Sequence, residues 1–129
     1  MSVNNARVRY IVDDVPATVD FYTRLLGFTA QSSPGPGFAI LTRDGLALLI
    51  NSPGGPGGAA QPAADGRLPE PGGWNRIQLQ VADLESEVKR LDEAGARFRS
   101  AIITGRGGSQ ILLDDPSGNP IELFQPAAG

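Results

Sequence analysis

"RVRYIVDDVPATVDFYTRLLGF", Arg7 to Phe28, and "RIQLQVADLESEVKRLDEAGARF", Arg76 to Phe98, carry one pattern twice. Arg7/Arg76, Val12/Val81, Asp14/Asp83, Val15/Leu84 and Val19/Val88 pair at a constant offset, and Gly27/Gly95 follows after one residue of slack. A register held over that length points to a duplicated module. Each copy reads strand, acidic cap, helix, glycine, strand. In the second copy Leu84, Val88, Leu91 and Gly95 recur at helical spacing among charged residues, which predicts an amphipathic helix with one buried stripe. The first copy predicts the same with Val15, Val19, Tyr22 and Leu26 inward and Pro16 in the first turn, where a missing N–H costs nothing. Asp14 and Asp83 are the expected N-caps, and Gly27 and Gly95 suit left-handed positions past the helix ends.

Three strands are expected after each helix: Phe28 to Gln31, Phe38 to Thr42 and Leu46 to Asn51, then Arg97 to Ile102, Gln110 to Asp114 and Ile121 to Gln125. Asp44-Gly45 and Pro116-Ser117-Gly118-Asn119 are turn chemistry that closes the last two strands of each half as hairpins. The expected fold class is therefore α+β, two tandem βαβββ modules whose curved mixed sheets surround a cleft, with the helices outside. Module one covers residues 6–51 and module two residues 74–126. Between them, residues 52–73 are a Gly- and Pro-rich linker, too poor in apolar side chains to pack alone.

Strand alternation separates two faces. Val8, Tyr10 and Val12 oppose Arg7, Arg9 and Ile11; Ile77, Leu79 and Val81 oppose Arg76, Gln78 and Gln80; Ile121 and Leu123 oppose Glu122 and Phe124. If the apolar sets meet the helices, a polar face dotted with Ile11, Leu49 and Phe124 remains in the halves. Such a face lines a cleft or is plain solvated surface, and pattern alone leaves both open.

Composition bounds the chemistry. The 129 residues suffice for one domain with a real core. A formal charge of -3 lacks the basic footprint of a nucleic-acid binder and disfavours anionic membrane surfaces. No apolar run approaches a membrane span, and no signal-peptide pattern opens the chain, so a soluble cytoplasmic protein is expected. Cysteine and histidine are both absent, which removes thiolate chemistry, the commonest general base and the commonest metal ligand.

With the paired modules, "DFYTRLLGF" and the terminal "DDPSGNPIELFQP", the chain resembles the glyoxalase, bleomycin-resistance protein and extradiol dioxygenase superfamily, also called vicinal oxygen chelate proteins. The resemblance covers nearly the whole chain. It implies metal ligands early in the first strand and within the last strand of each half, positions that map onto Arg7, Ala47, Arg76 and Glu122. Only Glu122 among them could bind a divalent ion, and two guanidiniums would repel it. No metal and no cofactor are therefore expected.

Glu122 has three readings: an ion pair with Arg7 or Arg76, a general acid or base beside Phe124 and Trp74, or direct recognition of a ligand. Trp74, the only tryptophan, stacks on a ligand or anchors the linker. Phe38 packs in the core or touches a ligand, and Arg106 in "TGRGGS" is a solvated hairpin tip or approaches one. Asp13, Asp114 and Asp115 could supply oxygens, but they fall near turns.

Two functions follow. The first is a metal-free binder that sequesters an aromatic or polycyclic natural product and so serves antibiotic self-resistance. Arg7, Arg9, Arg76, Gln78, Gln80 and Arg106 would donate to its oxygens, with Phe38, Ala47, Leu49, Trp74 and Phe124 as apolar lining and Glu122 between. The alternative is a lyase, isomerase or dioxygenase with Glu122 as base or metal ligand. The resemblance also implies a homodimer.

Overall fold

Each helix starts where the sequence places its cap. In the computed structural model, which describes residues 6–55 and 57–128, Asp14 and Asp83 adopt extended backbone, and their carboxylates accept the N–H of Ala17 at 3.0 Å and of Ser86 at 3.2 Å. These bonds satisfy donors that have no partner inside the helix. Helix α1 runs Val15–Leu25 and α2 runs Leu84–Glu93. Gly27 and Gly95 lie just past their ends at φ of 73° and 86°, a region an L side chain rarely enters.

The chain divides at Gly72 and Gly73 into two units, each a mixed sheet with one helix. In the first, β1 (Val8–Ile11), β2 (Thr29–Gly35), β3 (Phe38–Arg43) and β4 (Leu46–Asn51) stand in the order β1-β4-β3-β2. β1 is parallel to β4 and the other pairs are antiparallel. In the second, β5 (Ile77–Gln80), β6 (Arg97–Phe98), β8 (Gly108–Asp114) and β9 (Pro120–Pro126) stand as β5-β9-β8-β6, and the short β7 (Ile103–Thr104) also pairs with β8. Both sheets thus repeat one topology, first strand parallel to last.

The strand expected over Arg97 to Ile102 breaks after Phe98. The Leu112 N–H donates to the Ser100 hydroxyl at 3.2 Å, so a side chain takes a bond that a backbone carbonyl would otherwise accept and the ladder is interrupted. Seven residues rather than four form β2, with bulges on either side of Ser32. Asp44-Gly45 makes the two-residue turn between Arg43 and Leu46, with Asp44 at φ 51°. The longer turn after β8 is held by Asp115, fully buried, whose Oδ1 accepts the N–H of Ser117 and of Asn119, both at 2.9 Å. This gives the "DPSGN" motif a structural task.

The α1 stripe keeps Leu26 inward as expected, 5% exposed, but is wider than expected. Val15, Thr18, Phe21, Tyr22 and Leu25 are buried and Val19 is only half-buried. Thr18 can face inward because its hydroxyl donates to the Asp14 carbonyl at 2.7 Å. Tyr22 packs edge-on against Phe21 and Phe28, with ring centroids 5.3 Å apart in both pairs. In α2, Leu84 and Leu91 are buried as expected, whereas Val88 is half-buried and Gly95 exposed.

The linker is also less idle than its composition suggests. Gly58–Ala60 forms a 3-10 turn, the Gly54 N–H donates to the Ala60 carbonyl at 2.7 Å, and Ala60 is fully buried in the first unit. Small size lets that segment pack without large apolar side chains.

Candidate functional site

Residues opposite one another in a sheet share a face. In the first unit the pairing Arg9↔Leu49, Ile40↔Leu49, Phe38↔Asn51 and Thr42↔Ala47 puts these side chains on the face away from α1, with Arg7 and Ile11 in the same alternation. Arg7 and Arg9 are exposed, Phe38 is half-buried, and Ala47, Leu49 and Asn51 are buried. Nη1 of Arg9 donates to Oδ1 of Asn51, a side chain only 2% exposed. Asn51 was not among the expected site residues, and its signal was positional: it lies two residues past Leu49.

In the second unit Gln78↔Glu122↔Leu112 form one row, and Gln80↔Phe124↔Gln110 the next. Glu122 is 7% exposed. Its Oε1 accepts from Arg76 Nε at 3.1 Å and Nη2 at 2.9 Å, and its Oε2 accepts from Gln78 Nε2 at 2.6 Å. Of the three readings open for Glu122, the structure displays the ion pair, made with Arg76. Burying a carboxylate is tolerable here because charged and neutral donors engage both oxygens. Gln78 and Gln80 are otherwise exposed and Phe124 is half-buried.

Beside this pair stands a second one. Arg99 Nε donates to Asp114 Oδ1 at 2.6 Å, and its other nitrogens reach the carbonyls of Gly73 at 2.8 Å and Gly118 at 2.9 Å. The Arg99 guanidinium carbon lies 4.9 Å from the centroid of the Trp74 ring, a cation–π distance. Arg76 Nη1 holds the Trp74 carbonyl at 3.3 Å. Trp74 is thus anchored through its backbone and one face while the residue stays 69% exposed. Arg99 and Asp114 are the residues that sequence reasoning missed as a pair, because fifteen positions of chain separate them and neither belongs to a repeated motif.

Arg106 falls outside this cluster. It sits in the turn closed by the Gly105 N–H to Gly108 carbonyl bond, exposed, beyond the end of β8 opposite to Asp114.

The strand register also corrects one equivalence. Arg9 and Gln78 are twins by the repeat, Arg9 pairs with Leu49 and Gln78 with Glu122, so the twin of Glu122 is Leu49 and not Ala47. Either residue supplies only an alkyl side chain. With Arg76 seated on the Glu122 carboxylate, the donors at the implied ligand positions are a guanidinium-paired glutamate, cationic arginine and an aliphatic side chain. That set does not fit a divalent cation. Among the described residues no three Asp or Glu side chains gather into a metal-holding group.

A sequence profile of the Glyoxalase/Bleomycin resistance protein/Dioxygenase superfamily matches residues 5–123. No curated protein sequence matches the chain. Several solved structures share the fold. A superfamily member from Sphaerobacter thermophilus is 26% identical with a TM-score of 0.72, covering 97% of this chain and 99% of that one. The antibiotic binding protein TnmS3 from a Streptomyces species is 22% identical with a TM-score of 0.69, over 98% of this chain and 99% of its own. The fosfomycin resistance protein FosX from Listeria monocytogenes is 17% identical with a TM-score of 0.72, over 98% of this chain and 96% of its own. On the profile match across the duplicated modules, the chain belongs to the Glyoxalase/Bleomycin resistance protein/Dioxygenase superfamily.

Proposed function

We propose that this protein binds an aromatic or polycyclic natural product without a metal ion and sequesters it, as an antibiotic self-resistance protein does. The observation that carries the reading is Trp74, a residue 69% exposed yet held by its neighbours before any ligand arrives. An exposed indole that is already ordered gives a flat ligand stacking area at little entropic cost. In the same unit, Gln78 offers amide donors and acceptors, and Phe124 adds apolar surface one row along the sheet. Arg7, Arg9 and Phe38 present a comparable face in the first unit. The fold is one that an antibiotic binding protein and a fosfomycin resistance protein also use. In this reading the protein works in the cytoplasm as a homodimer, and light scattering on purified material checks the dimer.

The deciding experiment combines metal analysis of the purified protein with titration by aromatic antibiotics, following Trp74 emission. Saturable quenching, with the compound recovered unchanged from metal-poor protein, is the expected result. Stoichiometric bound metal, or conversion of the compound, would replace sequestration with a lyase, isomerase or dioxygenase activity.

A further inference from the structure

We infer that Arg99 is the positioning residue of the Trp74 platform, an inference that rests on the binding role proposed for that ring: the guanidinium fixes the indole by one face and leaves the other for a single flat ligand ring.

Each nitrogen of the Arg99 fork is used. Nε meets Asp114 on β8, Nη1 meets the Gly73 carbonyl at the end of the linker, and Nη2 meets the Gly118 carbonyl in the β8 to β9 turn. Its backbone is fixed as well, since the Arg99 N–H donates to the Leu112 carbonyl at 2.8 Å. Edges so engaged set the plane of the group, and that plane is what the Trp74 ring sees 4.9 Å away. Lysine could not substitute, because an ammonium has no plane and fewer donors. The charge on Arg99 is already balanced by Asp114, so its contribution to the ring is geometric. The side chain is 19% exposed, and bonds to a charged donor in that setting hold better than they would in open water.

A second consequence concerns Gly73. The residue lies at φ 90°, and its carbonyl is the one Arg99 holds. Holding the peptide just before Trp74 directs where the indole leaves the chain.

The test uses the full chain, with a hydroxynaphthoquinone as probe, measured by calorimetry so that variants lacking tryptophan can be included. Because Trp74 is the only tryptophan, acrylamide quenching reads its exposure with no ligand present. Arg99→Met is expected to raise the quenching constant about twofold and to weaken probe binding about 3- to 10-fold, the loss that comes with re-ordering one large side chain. Arg99→Lys should behave similarly although it keeps the charge, and it serves if the methionine variant fails to fold. In a Trp74→Leu background the Arg99 substitution should add nothing. Additive losses in that background, or quenching unchanged in both Arg99 variants, overturn the inference. A wild-type chain that ignores the probe would instead count against the binding role, while the quenching comparison still decides what Arg99 does.

Discussion

Replacing Arg76 by methionine would leave the Glu122 carboxylate, 7% exposed, with Gln78 as its one remaining side-chain donor among the described residues. The expected cost is about 2–3 kcal/mol of unfolding free energy, less than for a fully sealed pair because the Arg76 side chain is 28% exposed. The double change Arg76→Met with Glu122→Leu should recover most of that loss, and urea unfolding of the two variants measures it. Gly108 offers a steric counterpart. At φ 150° an added Cβ would lie 2.1 Å from the Gln125 carbonyl oxygen, so Gly108→Ala must displace the β8 to β9 ladder. A clear fall in melting temperature, on the order of 2–4 kcal/mol in stability, is expected. Residues of this kind divide by how local their partners are. Arg76 as a partner for Glu122 was readable, since strand alternation and the repeat put them on one face. Arg99 was not, because its partners lie on the linker, a strand and a turn that only the folded chain brings together.

Caps and turns were the most legible elements, for they depend on neighbours in sequence. Asp83 makes this testable by pH. Its carboxyl is held below the ordinary aspartate value of 3.8, first by the Ser86 hydroxyl and then by the Ser86 N–H. A folded-state value below the unfolded one means the cap adds stability above 3.8 and loses it as pH falls through the lowered value. The stability gap between wild type and Asp83→Ala should therefore be full at neutral pH and close in strong acid. A gap that stays constant across that titration would mean the charge on the cap contributes nothing. What sequence reasoning could not locate was the break after Phe98, since a serine hydroxyl taking over one ladder bond leaves no mark on periodicity. The added width of the α1 face escaped for a related reason: an inward Thr18 looks polar until its bond to Asp14 is seen.

Across the whole molecule, the duplication carried the fold. Two copies in register predicted two sheets of the same strand order, and both sheets have it. Composition left one part of the linker unread, because alanine can pack by being small, as Ala60 does. The binding role also has a global readout. A ligand that binds only the folded chain stabilises it by about 2.7 kcal/mol when its concentration is one hundred times Kd. Thermal melts should accordingly rise by a few degrees with a suitable aromatic compound and stay fixed with zinc, manganese or ferrous ions. A rise with one of those ions and none with aromatics would reverse the assignment.

The twin positions Leu49 and Glu122 have diverged as far as side chains can, one greasy and one ionic, while the strands around them kept step. Arg9 already waits beside Leu49, tied to Asn51. A glutamate introduced at position 49 would meet Arg9 where its twin Gln78 meets Glu122, so the earlier copy would gain a charge pair from a different strand position than the later one uses. Doubling of the module has thus kept the backbone register of the two halves while leaving opposite chemistry at one matched position.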